Sequence, residues 1–115
     1  MIPDSTFLIP KLSPGFEATV TLPGSKSIAL RQLAIAALVE GTNHITGIPK
    51  CDDTDAMIDC LRALGVAIGE DTSGTRITGP MDFGSGHVEL NCCMSGASTR
   101  LLIALAAIRN GSTRI

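Results

Sequence analysis

The sequence has few aromatic residues and no cluster of positive charge. It contains three Phe, no Trp and no Tyr, and its nine Lys and Arg residues are scattered singly between Lys11 and Arg114. A nucleic-acid surface needs clustered cations to neutralise phosphates, and it commonly stacks bases on aromatic rings. We therefore expect no nucleic-acid partner.

Long apolar runs are absent as well. The longest, from Leu101 to Ile108, is far shorter than the roughly 20 residues that cross a bilayer. The first residues, MIPDSTFLIPK, lack the basic start and the apolar stretch of a secretory signal. We expect a soluble, cytoplasmic protein with no membrane partner.

The four cysteines, at positions 51, 60, 92 and 93, lack the Cys-x-x-Cys spacing of many metal sites. The pattern favours neither a zinc site nor a disulfide framework. We interpret these residues as reduced, structural thiols. A reactive Cys93 in a loop is the alternative.

Common catalytic signatures are also missing. The segment before the first helix lacks the P-loop pattern G-x-x-x-x-G-K-[ST], which argues against nucleotide hydrolysis. His44 and His87 have no nucleophile or carboxylate arranged beside them, so we interpret them as ordinary strand histidines. Asp52, Asp53 and Asp55 are better explained as helix-dipole partners than as metal ligands. We assign no catalytic residue and no metal within this chain.

The residues that are present predict one α/β domain. Hydrophobic residues, mainly Ala, Leu, Ile and Val, make up 44% of a 115-residue chain, which suits a single core. Asp52 or Asp53 is the predicted cap of the second helix, and Gly41 and Gly65 are the predicted ends of the first two helices. From the spacing of apolar residues, strands are predicted at 16–22, 42–48, 66–68, 75–78 and 87–90, and helices at 27–40, 52–64 and 98–109.

The chain repeats itself at an offset of 70 residues. We interpret this as two copies of one βαβαββ unit, although chance similarity between Ala-rich helices is an alternative. The chain then divides into an N-terminal strand region at 1–22, a complete first unit at 23–80 and a truncated second unit at 81–115. The identities pair Ala34, Ala36, Ala37 and Gly41 with Ala104, Ala106, Ala107 and Gly111.

Small and polar residues stand just ahead of the first and third helices, at 24–27 and 94–97. A helix start presents unpaired N–H groups and the positive end of the helix dipole, so both segments are candidate phosphate sites. In the first segment, Lys26 adds a mobile positive charge and Ser27 adds a hydroxyl donor. Arg31 adds a planar guanidinium that can bind two phosphate oxygens at once. The alternative is that a serine only caps the helix while Lys26 and Arg31 are solvated.

Residues 22–42, LPGSKSIALRQLAIAALVEGT, resemble the opening of the enolpyruvyl transferases, and specifically the branch of that family in the shikimate pathway. The similarity consists of Leu-Pro-Gly-Ser-Lys-Ser, an arginine four residues after the second serine, and an Ala-rich helix. The blocks at 52–54 and 61–65 resemble the family's next conserved segments. The resemblance covers nearly the whole chain.

This resemblance implies transfer of the enolpyruvyl group of phosphoenolpyruvate to the 5-hydroxyl of shikimate 3-phosphate, without metal or organic cofactor. It implies two lobes, each of three βαβαββ units in an inside-out α/β barrel, with residues 1–22 packed on the other lobe. The family draws its acidic and basic catalytic groups from regions after Ile115. We therefore expect this fragment to be inactive alone.

The resemblance also assigns substrate-binding residues. Lys26 resembles the lysine that faces both substrates, and Ser27 and Arg31 resemble the pair that holds the 3-phosphate. Gly96 resembles the loop glycine beside phosphoenolpyruvate, and Arg100 the arginine one turn into the following helix.

The chain departs from the family pattern at Met94 and Ala97, where Asn and Thr are usual, and at Leu30, where Asn is usual. Met cannot replace the hydrogen bonds of an amide. Three alternatives stay open: a fragment of the UDP-N-acetylglucosamine enolpyruvyl transferase, a stand-alone anion-binding or interaction domain, and a lobe fragment that associates with itself through exposed helix faces.

Overall fold

The computed structural model describes residues 5–115 and confirms the α/β class. Within this range no helix is long and apolar enough to pass through a membrane. The helices are α1 (Lys26–Ala36), α2 (Asp52–Ala63) and α3 (Gly96–Ala107), and the strands are β1 (Gly41–Ile45), β2 (Ala67–Asp71), β3 (Gly74–Gly79), β4 (Val88–Glu89) and β5 (Thr113–Arg114).

The strands form two small sheets. The first has the order β1-β3-β2 with both pairs antiparallel, and the second pairs β4 with β5 in parallel. The predicted β2–β3 hairpin is confirmed, with Asp71 opposite Gly74. Its turn is closed by the Asp71 carboxylate, which accepts a hydrogen bond from the Ser73 backbone N–H at 2.8 Å.

The core lies where the three helices pack against one another and against β3. Leu33, Met57, Leu61, Ile77 and Leu102 are fully buried there. Burying such a side chain contributes about 1.5–3 kcal/mol, so these contacts fix the helices relative to one another. No aromatic ring belongs to the fully buried set.

The predicted end of α2 is confirmed, and the predicted end of α1 is not. Gly65 ends α2 as predicted: it has a φ of +88°, and the N–H of Val66 bonds the Leu61 carbonyl at 3.0 Å, as in a Schellman cap. The prediction that α1 continues to Gly41 is wrong, because α1 ends at Ala36. The following turn packs against Gly79, where a Cβ would lie 2.4 Å from the Val39 carbonyl oxygen.

Two further predictions are wrong. The described residues before α1 contain no strand, so the predicted strand at 16–22 is absent; a strand needs a hydrogen-bonding neighbour, and none lies beside this segment. The cap of α2 is Cys51 rather than Asp52 or Asp53. The backbone N–H of Cys51 donates to the Thr54 hydroxyl at 3.2 Å. Residues 1–4 of the predicted N-terminal region lie outside the described part.

Candidate functional site

Helices α1 and α3 begin in the same way, 70 residues apart. The Ser25 hydroxyl accepts a hydrogen bond from the Ile28 N–H at 3.3 Å, and the Ser95 hydroxyl accepts one from the Ser98 N–H at 3.2 Å. Each serine satisfies one of the unpaired N–H groups of its helix. The two helix starts, at the predicted offset of 70 residues, therefore share one local geometry.

Asp53 joins these two helix starts. Its carboxylate lies 2.5 Å from the Lys26 ammonium on α1, and its backbone oxygen accepts a hydrogen bond from Ser98 Oγ on α3 at 3.1 Å. Two hydrogen bonds lower the pKa of Asp53: the one with Lys26 has the larger effect, and the one with the Ser95 hydroxyl has the smaller. The same bond with Asp53 raises the pKa of Lys26. The N-termini of all three helices thus meet around one carboxylate.

Ser27 and Arg31 lie on another side of α1. Residues four apart stand above each other on a helix, so these two share one exposed face, whereas Lys26 is above the buried Leu30. Neither the Ser27 side chain nor the Arg31 guanidinium has a hydrogen bond or ion pair with any described residue. The structure therefore brings Ser27 and Arg31 together and directs Lys26 to Asp53 at the flank.

Gly24 sets the position of the α1 start. A Cβ at this residue would lie 1.8 Å from the carbonyl oxygen of Gly47, so only glycine allows this approach. Gly47 itself has a φ of +74°, which glycine adopts without strain. The segment ahead of α1 is consequently held against the loop that follows β1.

The start of α3 carries the second group of predicted residues. Gly96 is the first residue of the helix, and a Cβ there would meet nothing within 4 Å, so its backbone is open to a ligand. Arg100 lies one turn further on and pairs with no described residue. Met94 is fully exposed and makes no hydrogen bond that could stand in for an amide.

A cavity of about 500 Å³ adjoins this region but has the wrong charge for a phosphate. Its wall includes the carboxylates of Asp52, Asp53, Asp55, Asp59 and Glu89, which would repel an anion. Within residues 5–115 no three His, Cys, Asp or Glu side chains are arranged to hold a metal. The helix starts, rather than this cavity, are the better anion site.

The two histidines have structural partners. His44 lies in β1 with its Nε2 3.3 Å from the Ser73 hydroxyl, and the His87 Nδ1 is 2.8 Å from the Ser112 hydroxyl. Ser73 donates its own proton to Asp71, so it is not activated by His44. His44 agrees with the interpretation as an ordinary strand histidine, whereas His87 lies just before β4 and its Nε2 is 3.8 Å from the Glu89 carboxylate.

Sequence reasoning missed the part of Asp53 in this site. The sequence predicts Asp53 only as a cap or a dipole partner of α2, because its partner Lys26 is 27 positions away in the chain. The local signal was the run of acidic residues at the start of α2. It does not indicate which carboxylate reaches another helix.

Comparisons with known proteins agree on one family. The sequence profile of EPSP synthase (3-phosphoshikimate 1-carboxyvinyltransferase) matches residues 13–114. The chain is 43% identical over 97 residues to the 3-phosphoshikimate 1-carboxyvinyltransferase of Bordetella pertussis, covering 84% of this chain and 22% of that protein. It is 44% identical over 91 residues to the enzyme of the same name from Rhizobium etli, covering 78% and 22%.

Solved structures give the same answer. The EPSP synthase of Acinetobacter baumannii superposes with a TM-score of 0.58 at 30% identity, covering 76% of this chain and 20% of that one. The chain thus spans about a fifth of the length of these relatives. On the match over residues 13–114, this chain belongs to the EPSP synthase family.

Proposed function

We propose that this chain supplies one side of an active site that transfers the enolpyruvyl group of phosphoenolpyruvate to the 5-hydroxyl of shikimate 3-phosphate. The observation that carries the proposal is the start of α1. There a hydroxyl and a guanidinium that pair with nothing in residues 5–115, on Ser27 and Arg31, share an exposed face beside the half-exposed ammonium of Lys26.

Ser27 and Arg31 would hold the 3-phosphate of shikimate. The hydroxyl donates one hydrogen bond and the guanidinium donates two in parallel to phosphate oxygens. The N-terminus of α1 adds a favourable dipole. Lys26, oriented by Asp53 at 2.5 Å, keeps further N–H donors for a substrate between the two helix starts.

Gly96 and Arg100 would hold the phosphate of phosphoenolpyruvate. The open backbone of Gly96 lets an anion approach the unpaired N–H groups of α3, and Arg100 adds the positive charge. The contact is less complete than at α1, because Met94 and Ala97 offer no polar side chain. Binding of shikimate 3-phosphate should therefore be the stronger of the two.

The chemistry of the step requires more than these residues. Enolpyruvyl transfer needs proton donors and acceptors, and positioned acid–base groups contribute about 10² to 10⁴-fold in rate. We assign these groups to parts of the enzyme outside this chain, so the chain alone should bind substrate without turnover. We also propose a cytoplasmic location, as in the shikimate-pathway family.

The architecture we propose is a first βαβαββ unit at 23–80, of which α1, β1, α2, β2 and β3 are formed without a leading strand, and the start of a second unit at 81–115, within a lobe of the inside-out α/β barrel type. The N-terminal region would pack on the other lobe. Supporting this, the apolar side chains ahead of α1 have no cover here, including Phe7 at 83%, Leu8 at 93% and Val20 at 74% exposure. Without that cover, the isolated chain should associate with itself.

A titration followed by NMR tests the binding proposal. Shikimate 3-phosphate at millimolar concentration should shift the amide signals of residues 25–31, and UDP-N-acetylglucosamine should leave them unchanged. Inorganic phosphate serves as the control for simple anion binding. If all three ligands act alike, the chain is a general anion-binding domain; if none shifts these amides, the site is wrong.

A further inference from the structure

Three of the four cysteines gather between α2 and the start of α3. Cys60 and Cys92 are buried in the same apolar core, at 2% and 6% exposure. The Cys60 thiol donates a hydrogen bond to the Asn91 backbone oxygen at 3.3 Å. This bond places the Cys60 sulfur beside the peptide group that joins Asn91 to Cys92.

Cys93 presents the third thiol of this group to solvent. It is exposed, has a φ of +50° and donates its backbone N–H to the Asn91 side-chain oxygen at 2.9 Å. The cavity of about 500 Å³ beside α2 has both Cys60 and Cys93 in its wall. A small oxidant that enters this cavity meets two thiols.

Both thiols lie on the wall of the same cavity, and a short stretch of backbone connects the contact of Cys60 to Cys93. Cys93 follows Asn91 by two residues, which span at most about 7 Å, and Asn91 already contacts the Cys60 sulfur. A disulfide requires Cα atoms within about 7 Å of each other. The turn that carries Cys93 is therefore the part that must adjust.

We propose that a hydroperoxide converts Cys93 and Cys60 into a disulfide that ties the start of α3 to α2. The Cys93 sulfur attacks the peroxide and the O–O bond breaks, giving a sulfenic acid and an alcohol, or water from hydrogen peroxide. The Cys60 sulfur then attacks the Cys93 sulfur, the S–O bond breaks, and the hydroxide leaves as water with the Cys60 proton. Two thiols lose two electrons, and the peroxide gains them.

The second step should be the slow one. Burial, and to a smaller extent the neighbouring Cys92 thiol, raises the pKa of Cys60 to about 12. Little Cys60 thiolate is therefore present at neutral pH. The sulfenic acid on Cys93 should accumulate before the disulfide closes. Once formed, the disulfide restrains the turn that leads directly into Ser95 and Gly96.

Peptide mapping after treatment of the 115-residue chain with hydrogen peroxide tests the proposal. Trypsin releases residues 51–62 and 77–100 as separate peptides, and cleavage before Asp59 then separates Cys51 from Cys60. The expected product links the peptide containing Cys60 to the one containing Cys92 and Cys93, with loss of about two free thiols. A dimedone adduct on Cys93 at early times is expected as well.

Single substitutions identify the pair. Cys51→Ser and Cys92→Ser should keep the cross-link, and Cys60→Ser and Cys93→Ser should abolish it. Cys60→Ser should still give the dimedone adduct on Cys93, because the sulfenic acid forms without Cys60. The adduct therefore separates loss of the second step from loss of the first. Absence of the linked peptides in the unsubstituted chain, or their survival in Cys93→Ser, overturns the proposal.

Discussion

The starts of α1 and α3 have one geometry and two different chemistries. Both use a serine cap, 70 residues apart, with the same hydrogen bond to the third residue of the helix. The first start adds Lys26, Ser27 and Arg31, whereas the second offers only Arg100 among its charged side chains. We therefore expect the neighbouring side chains, rather than the shared serine cap, to decide which anion each start would hold.

The segments ahead of these two helices differ as well. Within residues 81–115, β4 precedes α3 and pairs in parallel with β5. The offset of 70 residues places Ala18 and Thr19 at the positions of Val88 and Glu89, yet the segment at 16–22 has no such pairing. The start of α1 therefore has its serine cap, while the segment ahead of it pairs with no strand among the described residues.

The largest expected effect comes from removing the clamp of hydrogen bonds that Arg109 forms within residues 81–115. Arg109 is buried and donates hydrogen bonds to Asp82, Gly86, Ser112 and Thr113 at 2.9–3.2 Å. Arg109→Ala leaves these acceptors unpaired and should lower the free energy of unfolding by about 3 kcal/mol or more. Urea denaturation of the two chains measures this difference.

The matched control for Arg109 is its counterpart at the 70-residue offset, Val39, which is 44% exposed. Val39→Ala should cost less than about 1 kcal/mol, because a half-exposed side chain loses little burial. Equal losses in the two variants would contradict the clamp.

The second effect concerns the residue two positions ahead of each helix. Gly24→Ala places a Cβ 1.8 Å from the Gly47 oxygen, and the backbone shift that relieves this contact should cost about 1–3 kcal/mol. The counterpart Met94 is fully exposed, so Met94→Ala should be within about 0.5 kcal/mol of the parent. Thermal unfolding of both variants measures the contrast, and a neutral Gly24→Ala would show that the close approach is unimportant.

The smallest effect is the pH dependence that comes from Asp53. Because Lys26 lowers the folded-state pKa of Asp53, the stability that this carboxylate contributes is present above its ordinary pKa of 3.8 and is lost as the pH falls through the lower folded value. Asp53→Asn should therefore differ from the parent at neutral pH and converge with it in acid. Asp52→Asn, which removes a carboxylate without an ion pair in the described part, should show no such convergence.

Local sequence signals predicted much of this fold. Gly65 ends α2 where a left-handed residue is needed, and the turn at 71–74 closes the β2–β3 hairpin, because both depend on residues close in the chain. The contacts between Lys26 and Asp53 and between Gly24 and Gly47 could not be predicted, since they join distant residues. For the same reason the alternation of apolar and polar residues predicted a strand at 16–22, although no described strand lies beside this segment to pair with it.

Shikimate 3-phosphate affinity in two arginine variants tests the central claim most directly. Arg31→Ala removes charged hydrogen bonds worth about 1.5–3 kcal/mol, so its dissociation constant should rise by about 10-fold or more, whereas Arg100→Ala should change it by less than about twofold. Arg76→Ala, on β3 outside the site, controls for net charge. Equal weakening by Arg31→Ala and Arg76→Ala, or a larger effect of Arg100→Ala, would contradict a phosphate site at the start of α1.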